Sequence, residues 1–275
     1  MSFYTSLSGL KGAQTDLSAI SNNLANVGST GFKKSRAQFG DLFASAPTQT
    51  TKLIAGQGAR LNGVVQQFTQ GTLEATDKTL DLAIAGEGFF MVKGNPPRQD
   101  VSYTRNGSFQ VNTDRHVVDT IGSTLQLLPV DSSGNVTSTS LSSAQDFVLP
   151  TGAPGNASAA LVNVSIGIDG LVTATYADGS DQMLGKVAMA SFVAQEGLRP
   201  IGDGHWQSTG DSGQPSINSA TNGPLGTIRS GALERANVDV TEELVALISA
   251  QRNFQANAKA IETANHMTQT IFNMQ

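Results

Sequence analysis

Asn237-Val238-Asp239-Val240, followed by Glu242-Glu243-Leu244-Val245, opens the stretch on which the reading of this fold turns. Asp239 and Glu242 have the spacing of a capping pair, in which a carboxylate accepts the free backbone N–H groups of a helix start. Glu242 and Glu243 also suit the positive end of a helix dipole. From Leu244 onward, positions 244, 247, 251, 254, 258, 261, 265, 268 and 272 form an unbroken heptad repeat, reading Leu, Leu, Gln, Phe, Ala, Ile, Asn, Thr, Phe. That spacing predicts a helix with an a/d stripe. Polar members of such a stripe, here Gln251, Asn265 and Thr268, lower stability and fix register.

The other end shows a related pattern. Phe3, Leu7, Leu10, Leu17, Ile20, Leu24 and Val27 recur at helical steps, with Ala13, Ala19 and Ala25 small enough for close helix approach. Gly28 and the segment Ser29-Thr30-Gly31 supply the stop. Between the ends the period changes. Residues 29–79 read as an extended linker, with Pro47, the threonines Thr48, Thr50 and Thr51, and Gly56-Gln57-Gly58. From Leu80 the text is strand-like. Leu82-Ala83-Ile84 and Phe89-Phe90-Met91-Val92 flank Gly86-Glu87-Gly88, and Val187 to Val193 forms another such run. Asn106-Gly107, between Tyr103 and Phe109, predicts a hairpin turn. Asp169-Gly170 and Asp178-Gly179 predict two more, with a strand from Leu171 to Tyr176. Residues 150–160 read as a surface loop. The fold class is therefore α+β: long amphipathic, coiled-coil-like helices at 1–28 and 237–275 form one terminal helical domain. A mainly β body at 80–236 is inserted between them.

Composition narrows the function. With 17 basic and 22 acidic side chains the formal net charge is -5, which argues against nucleic acid as a partner. No apolar run reaches the ~20 residues of a membrane-spanning helix. The first residues lack the basic start and apolar run of a secretory signal peptide, so a protein of this kind that leaves the cell needs another route. Cysteine is absent, which excludes disulfides and thiolate metal sites. The three histidines, His116, His205 and His266, lack metal-ligand spacing, and His205-Trp206 reads as a loop with an anchoring tryptophan. Gly86-Glu87-Gly88 falls short of a phosphate-binding glycine motif and reads as tight backbone turns. Asn135, Asn156 and Asn163 fit the glycosylation acceptor pattern, as chance allows in a serine- and threonine-rich stretch. No catalytic template is complete, so no enzyme activity, cofactor or metal is expected.

The segment Leu17-Ser18-Ala19-Ile20-Ser21-Asn22-Asn23-Leu24-Ala25-Asn26-Val27, then Thr30-Gly31-Phe32-Lys33, resembles the N-terminal signature of bacterial flagellar rod and hook proteins. Gly231 to Asp239, Glu242-Glu243-Leu244-Val245 and Ala250-Gln251-Arg252-Asn253-Phe254-Gln255-Ala256-Asn257 resemble that family's C-terminal signature. Leu82 to Phe90 and Tyr103 to Phe109 match between them, so the resemblance covers nearly the whole chain. It implies a structural subunit of the flagellar axial tube. Its terminal helices would surround a central channel, its β body would lie outside them, and export would use the flagellar type III apparatus. The implied partners are further copies of itself in a helical homopolymer, the rod, hook cap and hook–filament junction proteins, and the export apparatus. The resemblance makes Leu17, Ile20, Asn22, Asn23, Leu24, Asn26, Phe32, Leu244, Leu247, Gln251, Arg252, Asn253, Phe254, Asn257 and Ile261 the candidate residues of the inner helices and their contacts between subunits. Their asparagines either bond between helices in a wet interface or satisfy their own helices.

Within the family, residues 59–72 and the stretches around Leu184-Gly185-Lys186-Val187 and Gly202-Asp203-Gly204-His205-Trp206 look hook-like. The reading favours a hook subunit, a curved universal joint passing torque from rod to filament, over a distal rod subunit. Only the loop at 150–160 stands where many hook proteins carry an outer domain, and the length suits a distal rod protein. A β-rich binding module or enzyme with helical ends is the competing reading from another class.

Overall fold

The structure is a computed structural model that describes residues 2–43, 56–95, 99–154 and 159–273. Pro47, Thr48, Thr50, Thr51, Asn156 and the centre of the 150–160 loop lie outside the described residues. The chain divides into two compact units. One holds residues 1–27, 33–67 and 238–275; the other holds 28–32 and 68–237.

The first unit contains helix α1 (Ser2–Ala25), strands β1 (Ser35–Phe43) and β2 (Gly56–Gln66), and helix α2 (Val240–Asn273). Helix α2 starts where Asp239 predicts. Its Oδ1 accepts the N–H groups of Thr241 at 2.8 Å and Glu242 at 3.2 Å, satisfying orphan donors of the first turn. The Glu242 carboxylate does not complete the reciprocal bond; it lies 3.3 Å from Lys34 Nζ. No described helix is long and apolar enough to cross a membrane.

Residues read as extended linker form a two-stranded antiparallel ribbon, with Ser35 opposite Gln66 and Phe43 opposite Gly56. Two register shifts interrupt it, and they break the two-residue alternation by which a strand is recognised. Phe39, Leu42, Leu61 and Val64 are exposed on it, so apolar residues here do not mark a buried face.

The second unit is built of short strands: β3 (Leu73–Ala75), β4 (Leu82–Ala85), β5 (Phe89–Lys93), β6 (Val101–Thr104), β7 (Gln110–Val111), β8 (Val117–Val118) and β9 (Thr124–Leu128). Then follow β10 (Gln145–Asp146), β11 (Leu161–Ile166), β12 (Leu171–Tyr176), β13 (Asp181–Val187), β14 (Met189–Ser191) and β15 (Arg199–Gly202). Strands β16 (His205–Gln207), β17 (Ser216–Asn218), β18 (Thr227–Ser230) and β19 (Ala232–Glu234) complete it. The main sheet runs β11-β12-β13-β9-β5-β6-β16-β15, and every pairing in it is antiparallel. The pairs β4–β18 and β3–β19 stand apart from it.

Strand β5 is the hub. Its four apolar residues are all buried, which is how a strand covered on both faces reads. Alternation sends Phe90 and Val92 into a core with Leu82, Ile84, Phe109, Leu125 and Phe147. Phe89 and Met91 enter a second core with Tyr103, Phe192 and Trp206. In the second core Phe89, Trp206 and Phe68 meet edge-on at centroid distances of 5.4 to 5.6 Å, the geometry aromatic quadrupoles favour.

Burial in this second core pushes the Tyr103 phenol from 10.0 up to about 12. The folded state therefore keeps a proton that the unfolded chain loses near pH 10. The contribution is complete below pH 10 and is lost as pH rises from there toward 12. Urea midpoints measured across that range are expected to fall less steeply for Tyr103→Phe than for the unsubstituted protein.

The predicted turns divide. Gly170 and Gly179 take φ of +80° in the β11–β12 and β12–β13 connections, as hairpin turns demand. Asn106-Gly107 does not make a hairpin: β6 pairs with β5 and β16, whereas β7 pairs with β8. Instead Asn106 takes a hydrogen bond from Ser108 N–H at 3.1 Å through its own Oδ1, and its N–H donates to Thr104 Oγ1 at 3.0 Å. Gly107 accepts the N–H of Leu82 at 2.9 Å.

Candidate functional site

Helices α1 and α2 run antiparallel, and two contacts set their register. Asn23 Nδ2 reaches Glu243 Oε2 at 3.2 Å. At the other end Gly9 is so close that a Cβ there would fall 2.7 Å from Asn257 Oδ1. Fourteen residues separate the contacts on each helix, so the helices stay in step. The α1 residues most covered are Ala13, Ala19, Ile20 and Asn23. On α2 the covered or half-covered positions are Glu243, Leu247, Ala250, Phe254, Asn257, Ile261 and Ala264, with Ala246 and Ala258 beside them.

That stripe shares Leu247, Phe254 and Ile261 with the predicted one, but its alternate members are displaced by one residue. Leu244, Gln251 and Asn265 are exposed; Glu243, Ala250, Asn257 and Ala264 take the positions expected of Leu244, Gln251, Ala258 and Asn265. The displaced members are small or polar, so a count of apolar residues passes over them, although they too are spaced by seven.

The candidate residues therefore separate by environment. Ile20 and Asn23 are buried; Leu17, Leu24, Asn26, Leu247, Phe254, Asn257 and Ile261 are half-buried; Asn22, Leu244, Gln251, Arg252 and Asn253 are exposed. Phe32 falls in the β-rich unit, where its carbonyl accepts the N–H of Asn237. Asn26 Nδ2 donates to the Asn22 carbonyl and Asn257 Nδ2 to the Asn253 carbonyl, both at 2.9 Å, so these two asparagines each bond within their own helix.

Asn23 does more. Its Nδ2 donates to the Ser35 carbonyl at 2.9 Å and its Oδ1 accepts the Ser35 N–H at 2.8 Å, besides the bond to Glu243. One amide thus ties α1 to the first residue of β1 and the first turn of α2. Asn23→Ala strands the buried Glu243 carboxylate and the half-buried backbone groups of Ser35; an unsatisfied buried group costs ~1–3 kcal/mol, and the helical unit is expected to lose ~2–3 kcal/mol. Faster amide exchange at Ser35 is the readout; Asn22→Ala, at an exposed position, is expected to stay within ~0.5 kcal/mol. Beside Asn23 a cleft of about 500 Å³ opens between α1, β1 and the start of α2, with Asp16, Lys34, Arg36 and Glu242 on its walls.

Two buried polar groupings in the β-rich unit were not visible in the sequence. Arg105 and Glu234, 2 % and 0 % exposed, meet at 3.2 Å, and Glu234 Oε1 also accepts the Gly71 N–H at 2.9 Å. Burial lowers the pKa of the Arg105 guanidinium, and the charges of Glu234 and Glu87 oppose that. The cation lies 5.3 Å from the centroid of the Phe89 ring, a cation–π contact.

The second grouping is His205, which lies between Ser102, with Oγ 3.2 Å from Nδ1, and Asp119, with Oδ2 3.1 Å from Nε2. His205 Nε2 and Asp119 Oδ2 approach at this distance without an aligned hydrogen bond between them. Asp119 Oδ1 accepts the N–H groups of Ile121 and Ser123, both at 2.9 Å. The set has the membership of a hydrolytic triad. A nucleophile needs an approach for substrate, however, and Ser102 is 6 % exposed on a central strand. The three residues join β6, β16 and the turn after β8. His205 and Trp206 are core residues here, not the wall of a loop.

The fold thus defines a β-rich body carried with a pair of long terminal helices, and its polar groupings brace structure. Profiles of three related families match: the flagellar basal body rod protein family at residues 3–33, the flagellar hook protein FlgE/F/G D1 domain at 83–174, and the flagellar basal body rod FlgEFG protein C-terminal family at 229–274. The flagellar basal-body rod protein FlgG of Buchnera aphidicola subsp. Baizongia pistaciae is 34% identical over 96% of this chain and 95% of its own length. FlgG of Bacillus subtilis is 33% identical over 99% and 98%. The flagellar hook protein FlgE of Escherichia coli is 26% identical over the whole of both chains, in an alignment of 411 positions. The chain belongs to the family of flagellar rod and hook axial proteins.

Proposed function

We propose that the protein is a rod subunit of the flagellum, polymerising into a straight drive shaft around the export channel. The carrying observation is length. The FlgG relatives align end to end with this chain, over 95% and 98% of their own residues. The hook relative needs 411 alignment positions against 275 residues, so it carries a large insertion this chain lacks. This reverses the preference for a hook subunit drawn from residues 59–72 and 184–206. Both segments lie outside the three matched family profiles, so those profiles lend them no weight toward a hook. Neighbouring axial proteins and the type III export apparatus are the partners this role requires.

Electron microscopy of protein polymerised by salt tests the reading. Straight, rigid tubes are expected; curved or supercoiled tubes would restore the hook reading. An absence of any polymer from the unsubstituted protein overturns the axial role. Leu247→Asp places a carboxylate in the α1–α2 contact and is expected to abolish tubes. Fluorescence of Trp206, the one tryptophan in the chain and buried in the β-rich unit, is expected to show the same melting as before.

A further inference from the structure

Asn-Gly occurs at residues 62–63, 106–107 and 222–223. The dipeptide has a chemistry of its own. The glycine nitrogen can close on the side-chain carbon of the asparagine, because glycine carries no side chain to obstruct the approach. The reaction needs an amide that can swing and a glycine N–H that nothing holds, and the fold grants these unequally. Asn106 is 9% exposed, its Oδ1 accepts the Ser108 N–H at 3.1 Å, and Gly107 is packed against the Leu82 carbonyl. Asn62 is exposed, but Gly63 stands opposite Gln38 in the β1–β2 ladder, which keeps the backbone extended. Asn222 and Gly223 are both exposed, in the connection from β17 to β18. Among the described residues no acceptor holds the Gly223 N–H, and a Cβ built on Gly223 meets nothing within 4 Å. The Asn222 side chain is tied only through Nδ2, which donates to Ser219 Oγ at 2.7 Å.

The same turn is strained. Thr221 has a φ of +67°, a left-handed conformation that β-branched residues rarely enter. Such strain persists where the surroundings hold it in place. Here the Thr221 N–H donates to the Gly226 carbonyl at 3.0 Å and the Gly226 N–H to the Glu87 carbonyl at 2.8 Å. Leu225, 6% exposed, pins the turn into the main core.

We infer that Asn222 is a self-modifying site, at which the folded chain converts asparagine to isoaspartate and aspartate and thereby loosens the β17–β18 turn. The inference does not depend on the axial role. The Gly223 nitrogen, having lost its proton to solvent, attacks Asn222 Cγ. The Cγ–Nδ2 bond breaks, and Nδ2 takes a proton from water and leaves as ammonia. The product is a five-membered succinimide ring. Water then opens it. Cleavage between the Gly223 nitrogen and Cγ restores the main chain and gives aspartate. Cleavage between that nitrogen and the main-chain carbonyl carbon of residue 222 routes the chain through the side chain and gives isoaspartate. The net change turns an amide and water into a carboxylate and ammonium, with nothing oxidised or reduced. Isoaspartate lengthens the main chain between Thr221 and Leu225, so the bonds that hold Thr221 in its strained conformation lose their geometry.

The test incubates the full chain in mildly alkaline buffer, folded or unfolded in urea, and follows each asparagine by peptide mass spectrometry. In the folded protein Asn222 is expected to convert at least tenfold faster than Asn62 or Asn106, since a restrained site reacts only after local opening. In urea the three rates are expected to converge. Conversion of Asn62 or Asn106 as fast as Asn222 in the folded chain overturns the site. The same ranking by the same factor in urea overturns the part assigned to the fold. Asn222→Gln, whose longer side chain disfavours the five-membered ring, is expected to stay unmodified at that position and serves as the reference. Converted chains, separated by anion exchange on their added negative charge, are expected to melt at a lower temperature than Asn222→Gln carried through the same incubation, followed by Trp206 fluorescence. Equal melting overturns the loosening of the turn.

Discussion

Glu234→Ala is expected to destabilise the β-rich unit by about 3–5 kcal/mol, the cost of leaving a buried ion without its partner. Arg105 is 2 % exposed, so water does not replace the lost carboxylate. Its Nε already lacks a hydrogen-bond partner, and burial already disfavours its charge. The Gly71 N–H loses its acceptor as well. Urea unfolding followed by Trp206 fluorescence measures the loss directly. Two further variants separate charge from bonding. Glu234→Gln keeps an acceptor for Gly71 and removes the charge, so it is expected to fall between the two. Arg105→Met combined with Glu234→Leu removes both charges and is expected to recover much of the stability, since an apolar pair carries no desolvation cost. A double variant as unstable as Glu234→Ala would mean that hydrogen bonding, not charge, is what this pair supplies.

The terminal helices were legible because their apolar residues keep a helical period and because Asp239 stands at a cap. Strands β4, β5 and β12 were legible as short apolar or alternating runs, and Asp169-Gly170 and Asp178-Gly179 as turns that need a positive φ. What sequence could not supply was the partner of each element. The α2 stripe depends on which residues α1 covers, and α1 covers Glu243 because Asn23 bonds to it. Nothing local to Glu243 signals that. The β1–β2 ribbon was missed because its register shifts destroy the alternation and its apolar residues face outward. The Ser102–His205–Asp119 and Arg105–Glu234 groupings join residues about a hundred positions apart, and only the sheet order β5-β6-β16 brings the first of them together. Asn106-Gly107 misled for a related reason. The dipeptide was assigned to local turn chemistry when its glycine serves a distant strand.

That distant contact makes Gly107→Ala the most disruptive single-methyl change expected in the β-rich unit. A Cβ at Gly107 would fall 1.6 Å from the Leu82 carbonyl oxygen, 2.6 Å from its carbon and 3.2 Å from its Cα. All three are backbone atoms, so no side-chain rotation relieves the overlap. Separation to ordinary contact requires β4 or the 105–108 segment to move by more than an ångström. Leu82 is 1% exposed in the main core, its N–H donates to Gly107 at 2.9 Å, and Asp81 bridges Ser108 alongside. Displacement would break this pairing and open packed core, a combination that places the cost above ~4 kcal/mol. The soluble yield of Gly107→Ala is expected to collapse, or its urea midpoint to fall at least as far as that of Glu234→Ala. Gly179→Asn is the control. Gly179 has a φ of +80° and no atom within 4 Å of a built Cβ, and asparagine visits that conformation readily, so its cost is expected to stay below ~1 kcal/mol. The pair of results would separate a glycine needed for space from one needed for backbone shape. If Gly107→Ala unfolds at the same urea concentration as the unsubstituted protein, the close approach of Leu82 is not a feature of the folded chain.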